Sequence, residues 1–481
     1  MPHFKDILLC AAFIFWGGIA ISQPAQNAGV PVDSSGRFFI KDIIIKGNKK
    51  TKEYIIQREI QFKKGDSIPI ASINKELELA KSLVYNTTLF SEIKVYYLTT
   101  AASATDITVM VEVKERWYVY PVPQFKLVDR NFNEWLKTYN ASLKRVNYGL
   151  KFVHYNLSGR RDQLRIYLLN GFSRDFSFSY NAPYSNKALS EGFVVGAGYS
   201  QKKEIAYKTT YTDSLLFYRS DSLRTNFVGS VFYVNAGYSM RRGYYNRHNF
   251  FASFSHQTVS DSIVSAKYNP NYFGNGKSAA NIIQLNYSWQ YTNVNNVLYA
   301  TSGKTAFVSI EKTGLGFTGG INSFTVEAGY NKYFDMGKNW YSGFGLNGKI
   351  RLPFKQAYIN QRGLGYGDSY LRGMEYLVIN GTASALVKTT LKKKLADFKI
   401  KVPFKLKSLS YIPFAFFAKI YGDAGYVYTR QEYATNLNNK FLYTGGFGLD
   451  ILTFYDLNLR LEYSFNQLGQ KGLFLHTQGG F

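Results

Sequence analysis

From Trp117 to the C-terminus the chain repeats one pattern. Segments of about ten residues alternate polar with apolar or aromatic positions, and turns rich in Gly, Asn and Asp separate them. Successive side chains of a strand point to opposite faces, so a period of two gives each segment one apolar and one polar face. Tyr148–Leu157, Gln163–Leu169, Phe176–Tyr180, Phe193–Ser200, Asn226–Tyr238 and Ile282–Tyr291 read this way. So do Ala306–Glu311, Phe324–Tyr333, Trp340–Ile350, Tyr376–Leu391, Ile412–Thr429, Phe441–Phe454, Leu457–Phe465 and Gly472–Phe481. A first strand covers Tyr118–Leu127. Residues 117–481, at about 22 per strand and connection, give about sixteen strands, an even number as closure of an antiparallel barrel requires. Ahead of them the pattern is that of a small α/β unit, residues 37–116. Phe38–Ile45 alternates as a strand, Gly47-Asn48 turns, and Thr51 is placed to cap a helical stretch through Arg58 and Ile60. A second helix, Ile73–Val84, buries Ile73, Leu77, Ala80 and Leu83–Val84, and strands Ile93–Tyr97 and Ile107–Val113 close a three-stranded sheet.

Composition moves this all-β reading toward the membrane. Aromatics are 17% of residues, with 40 Tyr and 38 Phe, yet mean hydropathy is only −0.21. After residue 22 no stretch approaches the ~18 apolar residues of a membrane helix. Apolar residues spread one in two along strands are what a transmembrane antiparallel β-barrel carries; a soluble all-β protein is the alternative. At the N-terminus Lys5 precedes the apolar run Ile7–Trp16, and Ala20-Ile21-Ser22 offers small residues before Gln23. Residues 1–22 therefore read as a secretory signal peptide and 23–36 as a polar leader. The single cysteine, Cys10, lies inside that apolar run, so the exported chain is expected to carry no thiol and no disulfide.

The formal charge is +26. In an exported chain this points to anionic lipid headgroups and not to nucleic acid. The densest run, Lys392, Lys393 and Lys394 continuing to Lys399, Lys401, Lys405 and Lys407, is either a solvated turn or a headgroup contact. Enzyme signatures are missing: there is no Gly-x-Ser-x-Gly, P-loop or His-Glu-x-x-His. His3, His154, His248, His256 and His476 are scattered without ligand spacing, so no metal, cofactor or catalysis is expected.

The charges that stand out are Arg372, in Tyr370-Leu371-Arg372-Gly373-Met374-Glu375-Tyr376, and Asp423, in Tyr421-Gly422-Asp423-Ala424-Gly425. Among aromatic strands a lone Arg and a lone Asp are costly unless they meet. Glu375 lies near the same Arg or is solvated at the loop base, and Gly363, Gly365, Gly367 and Gly373 allow close backbone approaches.

This pairing resembles the loop-and-wall signature of the BamA/TamA-like outer-membrane barrels. Other stretches carry the same resemblance: Asp129–Trp135, Arg145–Gly149, Asn156–Arg160 and Tyr180-Asn181-Ala182-Pro183-Tyr184. In residues 37–116, Gly47-Asn48 with Thr51, Arg58-Glu59-Ile60, Gly65-Asp66, Asn86–Phe90 and Val111–Arg116 resemble a POTRA domain, that family's periplasmic module. Asn293–Asn296 and Met374 depart from the family pattern, and a single POTRA unit argues against the main assembly machine. The resemblance implies an outer-membrane location and a role in inserting or translocating proteins, or lipids, without nucleotide or cofactor. Its expected partners are outer-membrane lipids, client proteins and periplasmic accessory subunits. It also implies that Arg372, with Gly373 and Glu375, sits at the tip of a lumen-inserted loop, Pro353–Tyr370, received by Asp423 and Gly425. A terminal Phe481 resembles the insertion signal of such barrels. A lateral seam between first and last strands is expected at Pro121, Pro123, Gly479, Gly480 and Phe481, and the lysine run is expected on the periplasmic side. A passive pore or structural anchor of the same fold is the alternative.

Overall fold

The computed structural model describes residues 36–100, 103–127, 135–136, 140–219, 227–316, 321–406, 409–430, 435–454 and 457–478. The expected signal peptide, nearly all of the leader, and Gly479, Gly480 and Phe481 lie outside the described residues. The N-terminal unit comprises β1 (Arg37–Lys46), α1 (Glu53–Gln57), β2 (Ser67–Pro69), α2 (Ile73–Tyr85), β3 (Phe90–Thr100) and β4 (Ser103–Glu115). Its sheet has four strands, in the order β2-β1-β4-β3, where the sequence suggested three. The added strand is Ser67–Pro69, which pairs antiparallel with Arg37–Phe39. Helix α2 buries Ile73, Leu77, Ala80, Leu83 and Val84, as their spacing predicts. Thr51 does not cap α1, whose N-cap position is Lys52. Its buried hydroxyl instead meets the Tyr118 hydroxyl at 3.0 Å and accepts from Asn156 Nδ2 at 2.9 Å. The threonine thus ties the unit to the strands that follow.

Those strands form one sixteen-stranded antiparallel sheet. It starts with β5 (Val119–Leu127), β6 (Val146–Tyr155), β7 (Gln163–Gly171), β8 (Ser173–Ala182) and β9 (Glu191–Lys202). A separate hairpin, β10 (Glu204–Thr209) with β11 (Leu215–Arg219), follows. The wall continues through β12 (Gly229–Arg242), β13 (Asn246–Val259), β14 (Ala279–Val294), β15 (Gly303–Thr313), β16 (Ser323–Gly337) and β17 (Trp340–Leu352). Loop 353–382 carries the short pair β18 (Arg362–Leu364) and β19 (Ile379–Asn380). The last wall strands are β20 (Ala383–Leu406), β21 (Leu409–Tyr428), β22 (Phe441–Leu452), β23 (Asn458–Asn466) and β24 (Lys471–Gln478). Every wall strand pairs with the next, from β5 round to β24.

The two faces of this barrel differ as the alternation requires. Phe176, Phe178, Phe232, Val234, Phe250, Leu285 and Leu346 are exposed on the outside, the apolar band that a membrane-spanning barrel presents to lipid. Inside, polar side chains pair across strands, as in Asn286 to Ser309 at 2.8 Å and Asn347 to Glu327 at 3.0 Å.

Within the barrel wall, two segments depart from the sequence reading. Strand β13 was not legible: Phe250 and Phe251 are adjacent and interrupt the alternation, but complete ladders to β12 and β14 hold the segment extended. Conversely, the segment Tyr376–Leu391 joins the wall only from Ala383, and its earlier part holds only the short loop strand β19. Leu377 and Ile379 belong to the loop and bury themselves against Leu364, Leu371 and Met374, so their apolar run reflects a core and not a lipid face.

One rim of the barrel carries the N-terminal unit. Asn86 Nδ2 donates to the Val294 carbonyl at 2.8 Å, the Tyr244 hydroxyl donates to the Ile60 carbonyl at 3.0 Å, and Lys52 N–H donates to the Gly159 carbonyl at 2.9 Å. At the opposite rim the β10–β11 hairpin folds over the loop: Val378 N–H donates to the Asp213 carbonyl at 2.8 Å, and Asn380 Nδ2 to Thr209 Oγ1 at 2.7 Å.

Candidate functional site: the lumen loop, its lock and the strand seam

The loop 353–382 brings Arg372 to the inner wall between β20 and β21. Arg372 Nε lies 2.9 Å from Asp423 Oδ2 and Nη2 lies 2.5 Å from Oδ1, while the backbone N–H of Arg372 also donates to Oδ2 at 3.0 Å. The guanidinium further donates to Thr390 Oγ1 at 3.0 Å and the Thr389 carbonyl at 2.9 Å, and sits 4.0 Å from the centre of the Tyr421 ring. Both charges are buried, and this bidentate pair is backed by further hydrogen bonds to Thr390, Thr389 and the Arg372 N–H, which make a buried ion pair tolerable. The apolar side of the loop supports it: Leu364, Leu371, Met374 and Leu377 pack with Leu386, Val427, Leu437 and Leu442. Gly425 allows this approach, since a Cβ there would lie 3.2 Å from both Leu364 Cδ1 and Leu371 Cδ1. Gly373 is required twice over: its φ is +93°, and a Cβ would come within 2.9 Å of the Ser464 side chain.

Past Arg372 the loop lies on the last strands. The Gly373 carbonyl accepts from Asn466 Nδ2 at 2.8 Å, and its N–H donates to Glu375 Oε2 at 2.8 Å. Glu375 Oε1 is 3.4 Å from His476 Nε2 on β24, which is also 3.4 Å from Glu462 Oε2 on β23. Tyr370 stacks on His476 at 5.8 Å between ring centres, and Tyr376 meets Phe474 at 5.5 Å. The lock is therefore joined to the inner face of β24.

Sequence reasoning missed a second buried charge network beside the first. The Lys419 ammonium bonds Asp450 and lies 2.6 Å from Glu462, and Asp450 accepts the Tyr299 hydroxyl at 2.9 Å. Lys419 shares the inward face of its strand with Phe417, Tyr421 and Asp423, so its parity was a usable signal. Glu375, Glu462 and His476 bring ligand-type atoms within 4.8 Å of one another. Because Lys419 already supplies a cation to Glu462, this group is read as part of the ion-pair network.

The lysine run divides. Lys392 turns inward, 3.8 Å from Asp450 and 4.1 Å from the centre of the Tyr299 ring, so it does not meet headgroups. Strand parity sets this: Lys393, its neighbour, faces out over Trp340. Lys394 pairs with Asp397 at 3.2 Å, and Lys399 and Lys401 are exposed. The segment carrying the last two projects beyond the wall, since β17 pairs with β20 only as far as Lys393 and β22 with β21 only from Ala415. It projects from the rim that carries the N-terminal unit.

Strands β5 and β24 end the sheet order, and no ladder joins them among the described residues. Tyr155 N–H donates to the Tyr118 carbonyl at 2.7 Å, in register with the β5–β6 ladder. Alternate residues from Tyr118 therefore face β6, and Pro121 and Pro123 face the seam. There each presents no N–H.

At the rim, Glu59 anchors the N-terminal unit. Arg241 grips it with Nη1 at 2.6 Å and Nη2 at 2.7 Å, Arg58 Nη1 adds a contact at 3.3 Å, and the Tyr184 hydroxyl donates at 3.2 Å. Burial pushes the Glu59 carboxyl up, but the hydrogen bonds and charge of Arg241, with Arg161 and Arg58, outweigh it and hold the pKa below the ordinary 4.5. A depressed carboxylate stabilises docking above its free pKa and loses that contribution as pH falls through the lower docked value. Spin labels at Lys75 and Lys338 should therefore keep one distance from pH 7 to about 4.5 and separate as pH falls further, through the docked value. The Glu59→Gln chain should already be loosened at pH 7. A Glu59→Gln chain that keeps the unaltered distance at pH 7 would show that Glu59 does not hold the unit.

Residues 38–116 match the POTRA family model, described as a surface antigen variable number repeat. No curated protein matches the chain. Among solved structures, BamA from Haemophilus ducreyi lacking POTRA domains 1–3 is similar over 92% of this chain and 84% of its own, with TM-score 0.51 and 14% identity. CdiB from Escherichia coli is similar over 92% and 75%, with TM-score 0.53 and 10% identity. At such identities the likeness is one of fold: a POTRA domain followed by a sixteen-stranded β-barrel, the architecture that this chain shares with BamA and CdiB.

Proposed function

We propose that this chain inserts or translocates client proteins at the outer membrane by parting the β5–β24 seam, with its POTRA domain in the periplasm. The observation that carries the reading is the attachment of the lumen loop to both sides of the machinery. The tip is locked to the β20–β21 wall through Arg372 and Asp423, and the residues beside it rest on His476 and Phe474 of β24. Movement of the loop and movement of the seam are then one event. A client strand would add to the exposed edge by β-augmentation, which needs no nucleotide or cofactor. The edge of β5 is well suited to exchange, because each missing proline N–H removes a hydrogen bond worth about 0.5–1.5 kcal/mol. Gly479, Gly480 and Phe481 would complete the partner edge. Lys393, Lys399 and Lys401 are the residues for periplasmic-leaflet headgroups, each well-placed lysine contributing about 1 kcal/mol in a salt-dependent way.

A passive pore is the rival reading. Loop 353–382 inside the barrel and the β10–β11 hairpin folded over it weigh against free flow. Reconstitution decides between them. Liposomes carrying the full chain should speed the folding of an added test barrel without leaking small solutes. Leakage with no effect on folding would establish the passive reading.

A further inference from the structure

Between the POTRA domain and the barrel rim lies a cavity of about 270 Å³ whose walls include Arg161, Arg241, Arg247 and Glu59. Arg241 and Arg247 are register partners across β12 and β13, so their side chains leave the same face of the sheet. Like charges directly opposite one another destabilise a ladder. The carboxylate present does not relieve both, because Glu59 is held bidentate by Arg241. Arg161 is turned to the carbonyls of Thr87 and Asn86, at 2.9 and 3.4 Å. Among the described residues, the Arg247 side chain has neither a hydrogen bond nor an ion pair, although it lines the cavity. The three guanidinium groups lining the cavity face one carboxylate, which Arg58 also shares, so at least two positive charges are left unmatched in a partly enclosed space. The remaining lining suits an oxyanion: Tyr245, Asn246, Gln290 and Thr292 offer neutral hydrogen-bond donors.

We propose that this cavity binds an oxyanion of the phosphate class, with Arg247 as its principal ligand, and that the bound anion strengthens docking of the POTRA domain on the barrel. Arginine suits this role because its planar fork meets two oxygens at once. The anion would touch barrel residues on one side and lie beside POTRA residues Asn86 and Thr87 on the other. A ligand that binds only the docked form shifts docking by a factor of 1 + [L]/Kd, about a hundredfold at a hundred times Kd. The phosphate could be soluble or part of a lipid headgroup, since the recognising chemistry is shared.

The test titrates inorganic phosphate into the detergent-solubilised full chain at constant ionic strength, following heat of binding and melting temperature. Saturable binding with a rising melting temperature is expected, and Arg247→Gln should weaken binding by about tenfold or more, the loss of one charge-assisted contact. In phosphate-free buffer the same variant should melt at the same temperature or higher, because it removes a like-charge opposition. A purely structural arginine would give the reverse. Should Arg247→Gln fail to fold, Arg247→Lys carries the test, with weaker binding expected from its lost fork geometry. Competition by lysophosphatidylglycerol supports the site with a lipid source, and its absence supports the site with a soluble one. No saturable binding by the unaltered chain, or equal affinity in the variant that folds, overturns the proposal.

Discussion

Replacing Arg372 by Ala should lower barrel stability by about 3–5 kcal/mol, and removing Asp423 as well should add little to that loss. The expectation follows from what each single change leaves behind. Without Arg372, the fully buried Asp423 carboxylate loses two guanidinium contacts and with them its direct counter-charge. Without Asp423, Arg372 keeps Thr389, Thr390 and the Tyr421 ring, so Asp423→Ala should be the milder single change. The double replacement removes both unpaired charges together, which makes the losses strongly non-additive. Heat-modifiable mobility or chemical unfolding of the four chains in one detergent measures this directly. Additive losses would mean that the two residues act independently, and the loop would then need another anchor.

Much of this architecture was legible in the chain because alternation reports it strand by strand. Length alone gave sixteen strands although β13, with Phe250 and Phe251 adjacent, did not declare itself. The Arg372–Asp423 contact could be anticipated because each is a lone charge in a setting that penalises charge. The same logic extends to Lys419, Asp450 and Glu462, but their meeting depends on register and on which face each occupies. Lys392 shows the cost of ignoring that parity: in a run of three lysines, the first points to the lumen and the second to the outside. Apolar content misled at Tyr376–Ile379, where a loop core imitates a lipid-facing strand. The contact of Glu59 with Arg241 spans 182 residues and joins two domains, so no local pattern could carry it.

A disulfide across the seam should have the largest effect on activity. The proposed mechanism needs β5 and β24 to separate, whereas the fold depends on the fifteen ladders between the other neighbours, which the crosslink leaves alone. Cys10 lies in the expected signal peptide, so an introduced pair has no competing thiol in the exported chain. One cysteine belongs at Gln124, on β5 just past Pro123, and its partner is found by scanning Leu473–Thr477 on β24. With the pair oxidised and the barrel still heat-modifiable, catalysed folding of a test barrel in liposomes should fall to the uncatalysed rate and return on reduction. Full activity with the seam demonstrably crosslinked would contradict the lateral-opening account and leave the passive reading in its place.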